Sequence, residues 1–173
     1  QVMAFHPEPG VAVPLEPKGR RILAPNPSPM TFRGTNTYLV GTRELAVIDP
    51  GPESDAHLQA ILEALEPGQS ITHICVTHAH LDHSPLAAAL SAHTGAPILA
   101  FGGPETGRSA VMQRLAESGL AGGGEGVDAS FAPDVVLAEG EVSDGAGWAL
   151  VGGHLAHKHT LKCARAAQER RMR

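Results

Sequence analysis

From Glu44 to Gly102 the chain alternates short apolar runs with helical ones, and this alternation constrains the fold more than any other feature. "ELAVIDPG" reads as a strand. "ESDAHLQAILEALEPG" places Leu58, Ile61, Leu62 and Leu65 at helical spacing, with Ser54 or Asp55 to cap the first turn and Pro67-Gly68 to stop it. "ITHICVTH" is a β-branched run ending at His78. "SPLAAALSAHTG" predicts a second helix, with Ser84 as cap, Pro85 at the first position and Gly95 just past the end. "APILAFG" is the next strand. Strand, helix, strand, helix, strand implies α/β layers with some strands parallel, since short crossovers return a strand beside its predecessor.

The flanks extend this pattern. "RRILAPNPSP" holds a strand that breaks at Asn26-Pro27, and "FRGTNTYLVGT" holds another, with Gly41 and Thr42 fitting a hairpin turn into "ELAVIDPG". The proline-rich opening, "HPEPGVAVPLEPKG", predicts an extended surface lead-in, because each proline removes a donor. Residues 104–126 fit a modest helix ending in a glycine-rich loop. "DVVLAEGEVSDGAGWALV" fits two strands joined by an Asp-Gly turn.

A length of 173 residues suits one domain, and 42% hydrophobic but only 3% aromatic content predicts an aliphatic core. The organisation expected is a lead-in over residues 1–19, a domain over 20–150 and an atypical basic tail over 151–173. No run is long enough to span a bilayer. Two cysteines, Cys75 and Cys163, and no leader-like opening make a reducing cytoplasm the expected compartment. Residues 1–157 carry 7 basic and 17 acidic side chains, whereas 158–173 carry 6 and 1. An acidic body argues against a broad nucleic-acid surface; the tail alone could meet an anion, though a solvated face is the simpler reading.

The chemistry concentrates in "THAHLDHSP", where His78, His80, Asp82 and His83 fall within six positions at a strand-to-helix junction. Sites in α/β sheets form at such carboxyl ends. Imidazole and carboxylate suit Zn²⁺, and iron and manganese can use the same donors. In an extended segment His78, His80 and Asp82 would share one face and His83 would take the other. His6 and His93 are isolated, His57 and His73 read as ordinary surface or core histidines, and Cys75 reads as a small buried hydrophobe.

"THAHLDH" fits the H-x-H-x-D-H signature at every position, so the chain resembles the metallo-β-lactamase fold hydrolases. "PNPSPMTFRGTNTYLVG" followed by "AVIDPGP" is similar to the opening strands of that superfamily, most of all its LACTB2-like branch. The resemblance covers about residues 20–150 and implies an αββα sandwich, with the first half complete and the second largely missing. It implies two zinc ions, with His78 and His80 on the first and Asp82 and His83 on the second. Bound metal lowers the pKa of water toward ~7, which supplies hydroxide at neutral pH, and Asp82 would orient that nucleophile. Asp49 would steer a ligand or its loop, and Thr77 would donate beneath the site. Asp49 equally suits an Asp-Pro-Gly turn, and Thr77 a plain strand end.

The family's later ligands are a His-Thr-Pro-Gly-His type turn, a bridging aspartate and a last histidine. Here "WALVGGHLAHKHTLKCARAAQERRMR" offers His154 for the first of these, with His157 or His159 as substitutes. No aspartate follows Leu161, where Glu169 is the only acid. The charge reversal and a fading of β-like patterning near Leu150 raise the expectation that the chain beyond it is foreign to the fold, leaving sheet edges open to oligomerisation. Three functions follow: a hydrolase of small-molecule esters, thioesters or phosphodiesters; an inactive metal-binding fragment; or, less well supported, RNA binding through the tail.

Overall fold

The computed structural model describes residues 7–15, 18–106, 126–145, 148–155 and 158–164, with the backbone alone described beyond Leu150. Seven strands form one sheet in sequential order: β1 (Ala12–Leu15), β2 (Gly19–Leu23), β3 (Asn36–Gly41), β4 (Glu44–Ile48), β5 (Ser70–Val76), β6 (Ile98–Ala100) and β7 (Val135–Val136). The first four pair antiparallel, and β4 through β7 pair parallel. A second sheet has the order β10 (Lys158–Ala164), β9 (Trp148–Leu155), β8 (Val142–Gly145), all antiparallel. Helices α1 (Asp55–Glu63) and α2 (Leu86–Thr94) cross between the parallel strands.

The apolar runs bury both faces of the large sheet. Leu45, Val47, Ile74 and Val76 pack with Ile61, Leu86 and Leu90 of the helices. Their alternates Ala46, Ile48 and Cys75 pack against Trp148 and Leu150 of the second sheet. Helix, sheet and second sheet thus stack as three layers, which is why the inner strands are continuously hydrophobic. The Trp148 indole donates to the Glu44 carbonyl at 2.9 Å and stitches the sheets together. Gly145 makes room for it: a Cβ there would lie 2.5 Å from Trp148 Nε1.

Several expectations change. The proline-rich lead-in is not merely surface cover: its β1 forms the sheet edge, where Pro14 opposite Arg20 is tolerated because edges need fewer donors. Ser54 caps α1, accepting from the His57 nitrogen at 3.2 Å. Ser84 does not cap α2, because its hydroxyl is committed to Asp128 and to the His80 carbonyl. Asp144 and Gly145 lie within β8, paired with Ala149 and Trp148, and do not form the turn. β9 crosses Leu150 without a break and pairs with β10, so the charge reversal there is not a loss of strand structure. The helix expected within 104–126 falls almost wholly outside the described residues, as does the tail past Ala164.

Candidate functional site

β4 and β5 are parallel neighbours, so their carboxyl ends deliver Asp49 and Thr77 side by side. The Asp49 nitrogen donates to the Cys75 carbonyl at 2.8 Å. Its backbone then enters the left-handed region, with φ 50°. A non-glycine residue loses roughly 1–2 kcal/mol there, less for an aspartate, and keeps the conformation only where its surroundings fix it. Thr77 is part of that fixation. Its nitrogen donates to Asp49 Oδ1 at 2.8 Å, and its hydroxyl lies 2.8 Å from Oδ2.

Beyond Thr77 the chain does not stay extended. His83 N donates to the His80 carbonyl at 2.9 Å, closing a turn that carries His83 back over the strand end. His83 therefore lies on the same side as His78, not opposite it: the two ring centroids are 4.1 Å apart, and those of His78 and His80 are 4.5 Å apart. The alternation rule failed here because a turn replaces the extended backbone. His83 Nδ1 lies 3.0 Å from Asp49 Oδ2, and its Nε2 lies 3.1 Å from Asp82 Oδ2.

Proton counting fixes one tautomer. The Thr77 hydroxyl has a single proton, which goes to the Asp49 carboxylate, so its 2.9 Å contact with His78 Nδ1 requires that nitrogen to be the donor. His78 Nε2 is then the bare nitrogen. Burial, followed by the neighbouring His83 and His80 rings, pushes His78 from 6.5 down to about 4, so the ring is neutral and basic enough only for a metal or a strong donor.

The turn is clamped from outside by a segment the motif gave no hint of. Asp128, buried, accepts from Ser84 Oγ at 2.8 Å and donates from its own nitrogen to the Ala79 carbonyl at 3.0 Å. Leu81 N donates to the Gly126 carbonyl at 3.0 Å. The clamp spans 44 positions between Ser84 and Asp128, too far for a local pattern to reveal.

A cleft of about 280 Å³ opens beside this cluster, running from Met30 and Thr31 past Asn36 and Tyr38 to Asp49, Asp82 and His83. Met30 on its rim is 63% exposed, and Phe32 in the same loop is 75% exposed. Phe32 also has φ 57°, a conformation unusual for a bulky residue. The Asn26 and Ser28 side chains hold this loop through bonds to Thr35 and to the Met30 and Thr31 nitrogens.

The donor set fits a divalent cation in part. Asp82 Oδ1 is buried with no hydrogen-bond partner, and Asp82 Oδ2 sits beside His83 Nε2 at 3.1 Å. Ligand atoms on a tetrahedral ion with bonds of 2.0–2.1 Å lie roughly 3.3 Å apart. Among the described residues, however, no three His, Cys, Asp or Glu side chains converge on one point. His154 lies on β9 opposite His159, its side chain outside the described set, and His157 is outside altogether. His73 lies within β5 with its ring edge-on to Trp148 at 4.9 Å, and His93 ends α2, so neither joins the cluster.

Mixed sheet, helix layer, second sheet and a histidine-aspartate cluster at the strand ends define a metallo-β-lactamase type of sandwich. The family model for the metallo-beta-lactamase superfamily matches residues 30–163, and the chain belongs to that superfamily. A crystal structure of a beta-lactamase domain protein from Burkholderia ambifaria aligns with a TM-score of 0.67 at 21% identity, covering 94% of this chain and 53% of that one. Thioesterase pkgB of Emericella nidulans is 38% identical over 93 residues, which is 53% of this chain and 27% of the relative. An atrochrysone carboxyl ACP thioesterase of Passalora fulva is 39% identical over 84 residues, 47% of this chain and 25% of the relative. The matched stretch thus spans about a quarter of these curated relatives.

Proposed function

We propose that the chain carries the site of a metal-dependent hydrolase acting on a small-molecule acyl thioester or ester. The observation that carries this reading is the succession of close contacts His80–His78–His83–Asp82, with His83 also beside Asp49 and with Asp49, Asp82 and His83 lining a cleft. His78 and His80 would hold one zinc-type ion, Asp82 and His83 a second, with His154 as a further ligand from β9. A bound cation would polarise the substrate carbonyl and acidify water toward ~7. The chain's own groups do the rest. Asp82, whose Oδ1 is buried without a hydrogen-bond partner, would take a proton from the attacking water and return it to the departing thiolate or alkoxide as the acyl C–S or C–O bond breaks. Asn36 and Tyr38 line the wall where a carbonyl would rest. Met30 on the rim would offer its apolar surface to an acyl group, with exposed Phe32 in the same loop.

The names of the thioesterase relatives support the thioester class, and the opening strands' resemblance to the LACTB2-like branch speaks for a small-molecule or nucleic-acid ester over a β-lactam. The test is hydrolysis of a panel of short and aromatic acyl thioesters by the purified chain, with zinc added or stripped. Turnover that follows zinc content supports the reading. A second reading is metal capture without turnover by an incomplete ligand set. Zinc bound at substoichiometric levels, lost on dialysis and accompanied by no hydrolysis, would favour it.

A further inference from the structure

Although its sequence context is that of an ordinary histidine, His57 lies at the foot of the site, joined to Asp49 through the Thr37 hydroxyl. It is fully buried on α1 with Leu58 and Ile61. Its Nε2 lies 2.8 Å from Thr37 Oγ1, and the same hydroxyl donates to the Asp49 carbonyl at 2.7 Å. A carbonyl cannot donate, so the single Thr37 proton is spent on Asp49, and Thr37 must accept from the ring. His57 is therefore the Nε2–H tautomer. Its Nδ1 is bare, buried and without a hydrogen-bond partner.

The chain of bonds ends on a residue with an unusual backbone. Asp49 is left-handed, and Gly51, two residues on, has φ 97° with His57 Cδ2 3.3 Å from where its Cβ would stand. The imidazole thus packs beneath Gly51 of this turn, while the Thr37 hydroxyl it bonds braces the Asp49 carbonyl. From the other end, Asp49 Oδ2 lies 3.0 Å from His83 Nδ1, an electrostatic contact whose angle does not make it a hydrogen bond. A rotation of the Asp49 peptide would swing that carboxylate away from the ring.

We propose that His57 and Thr37 are positioning residues, bracing the left-handed Asp49 turn so that its carboxylate orients the His83 ring. This rests on the metal-hydrolase reading for its use, but not for its geometry. Side chains that orient a metal-binding histidine change metal affinity by about 10–100-fold when removed.

The test uses the full 173-residue chain. T37V removes the hydroxyl at nearly constant volume, T37S restores it, H57L removes the ring donor, and H57Q keeps an amide donor at the Nε2 position. Cobalt(II) titration should show about 10-fold or greater weakening and a shifted visible band in T37V and H57L, with T37S and H57Q close to wild type. Circular dichroism should show all four folded. Long-range ¹H–¹⁵N spectra of the metal-free chain give an independent readout: His57 should show the Nε2–H pattern, and T37V should move the His83 Nδ1 signal.

Folded T37V and H57L with unchanged cobalt affinity, band and His83 signal would overturn the proposal. So would an Nδ1–H pattern at His57. If wild type takes up no cobalt while the His83 signal still responds to T37V, the metal reading fails and the bracing stands. If wild type binds cobalt and neither variant alters anything, the reverse holds.

Discussion

Thr77 binds the Asp49 carboxylate twice, through its backbone nitrogen at 2.8 Å and through its hydroxyl, which reaches Oδ2 at 2.8 Å and Oδ1 at 3.0 Å. The carboxylate so held is the one beside His83. Thr77→Val keeps the shape and the backbone bond but deletes the hydroxyl. Hydrogen bonds to charged groups contribute about 1.5–3 kcal/mol, so urea unfolding should show a loss of about 2 kcal/mol. The His78 ring should also lose its Nδ1 acceptor, visible as a change in its nitrogen shifts.

Asp82→Ala removes the buried oxygen that lacks a partner and the neighbour of His83 Nε2. Zinc content after dialysis should fall measurably, and thioester turnover should fall by about 100-fold or more. Full turnover in Asp82→Ala at wild-type zinc content would remove Asp82 from the mechanism.

Trp148, 3% exposed, is the main filler between the two sheets and reaches the Glu44 carbonyl. Trp148→Ala should cost about 3–5 kcal/mol in chemical denaturation, by cavity and lost packing. A loss under 1 kcal/mol would mean that the second sheet contributes little to the large one.

His57 gives a pH dependence whose sign can be worked out. Burial lowers it from 6.5 to about 4, so the unfolded chain takes up a proton between these values and the native one does not. Its stabilising contribution is complete above pH 6.5, is lost as pH falls toward 4, and levels off below. The full span is about 3 kcal/mol. Urea midpoints measured from pH 7 to pH 4 should decline, and His57→Gln, which cannot titrate, should flatten the slope.

Phe32 combines a left-handed backbone with an exposed ring, in the same loop as the cleft-lining Met30 and Thr31. Phe32→Gly should relieve backbone strain, leaving stability unchanged or raised by about 1 kcal/mol. KM for aromatic acyl thioesters should rise several-fold, while kcat changes little. A stable variant with unaltered KM would remove Phe32 from substrate recognition.

Residue type and period alone placed β2 through β6, both helices and the histidine-aspartate cluster at a strand end, because each is a local property: apolar spacing, a capping serine before α1, a glycine after α2. Ser84 shows the limit. Its position before Pro85 is that of a cap, but a partner 44 residues away claims the hydroxyl. The same limit applies to the site. Sequence supplied the ligand-type residues of "THAHLDH", whereas only the folded chain turned His83 back onto His78, set Thr77 against Asp49 across 28 positions, and slid His57 beneath them on α1. Pattern reports which face a residue takes within its own element; which distant group then meets it is decided by how the layers pack, and that is a property of the whole sheet.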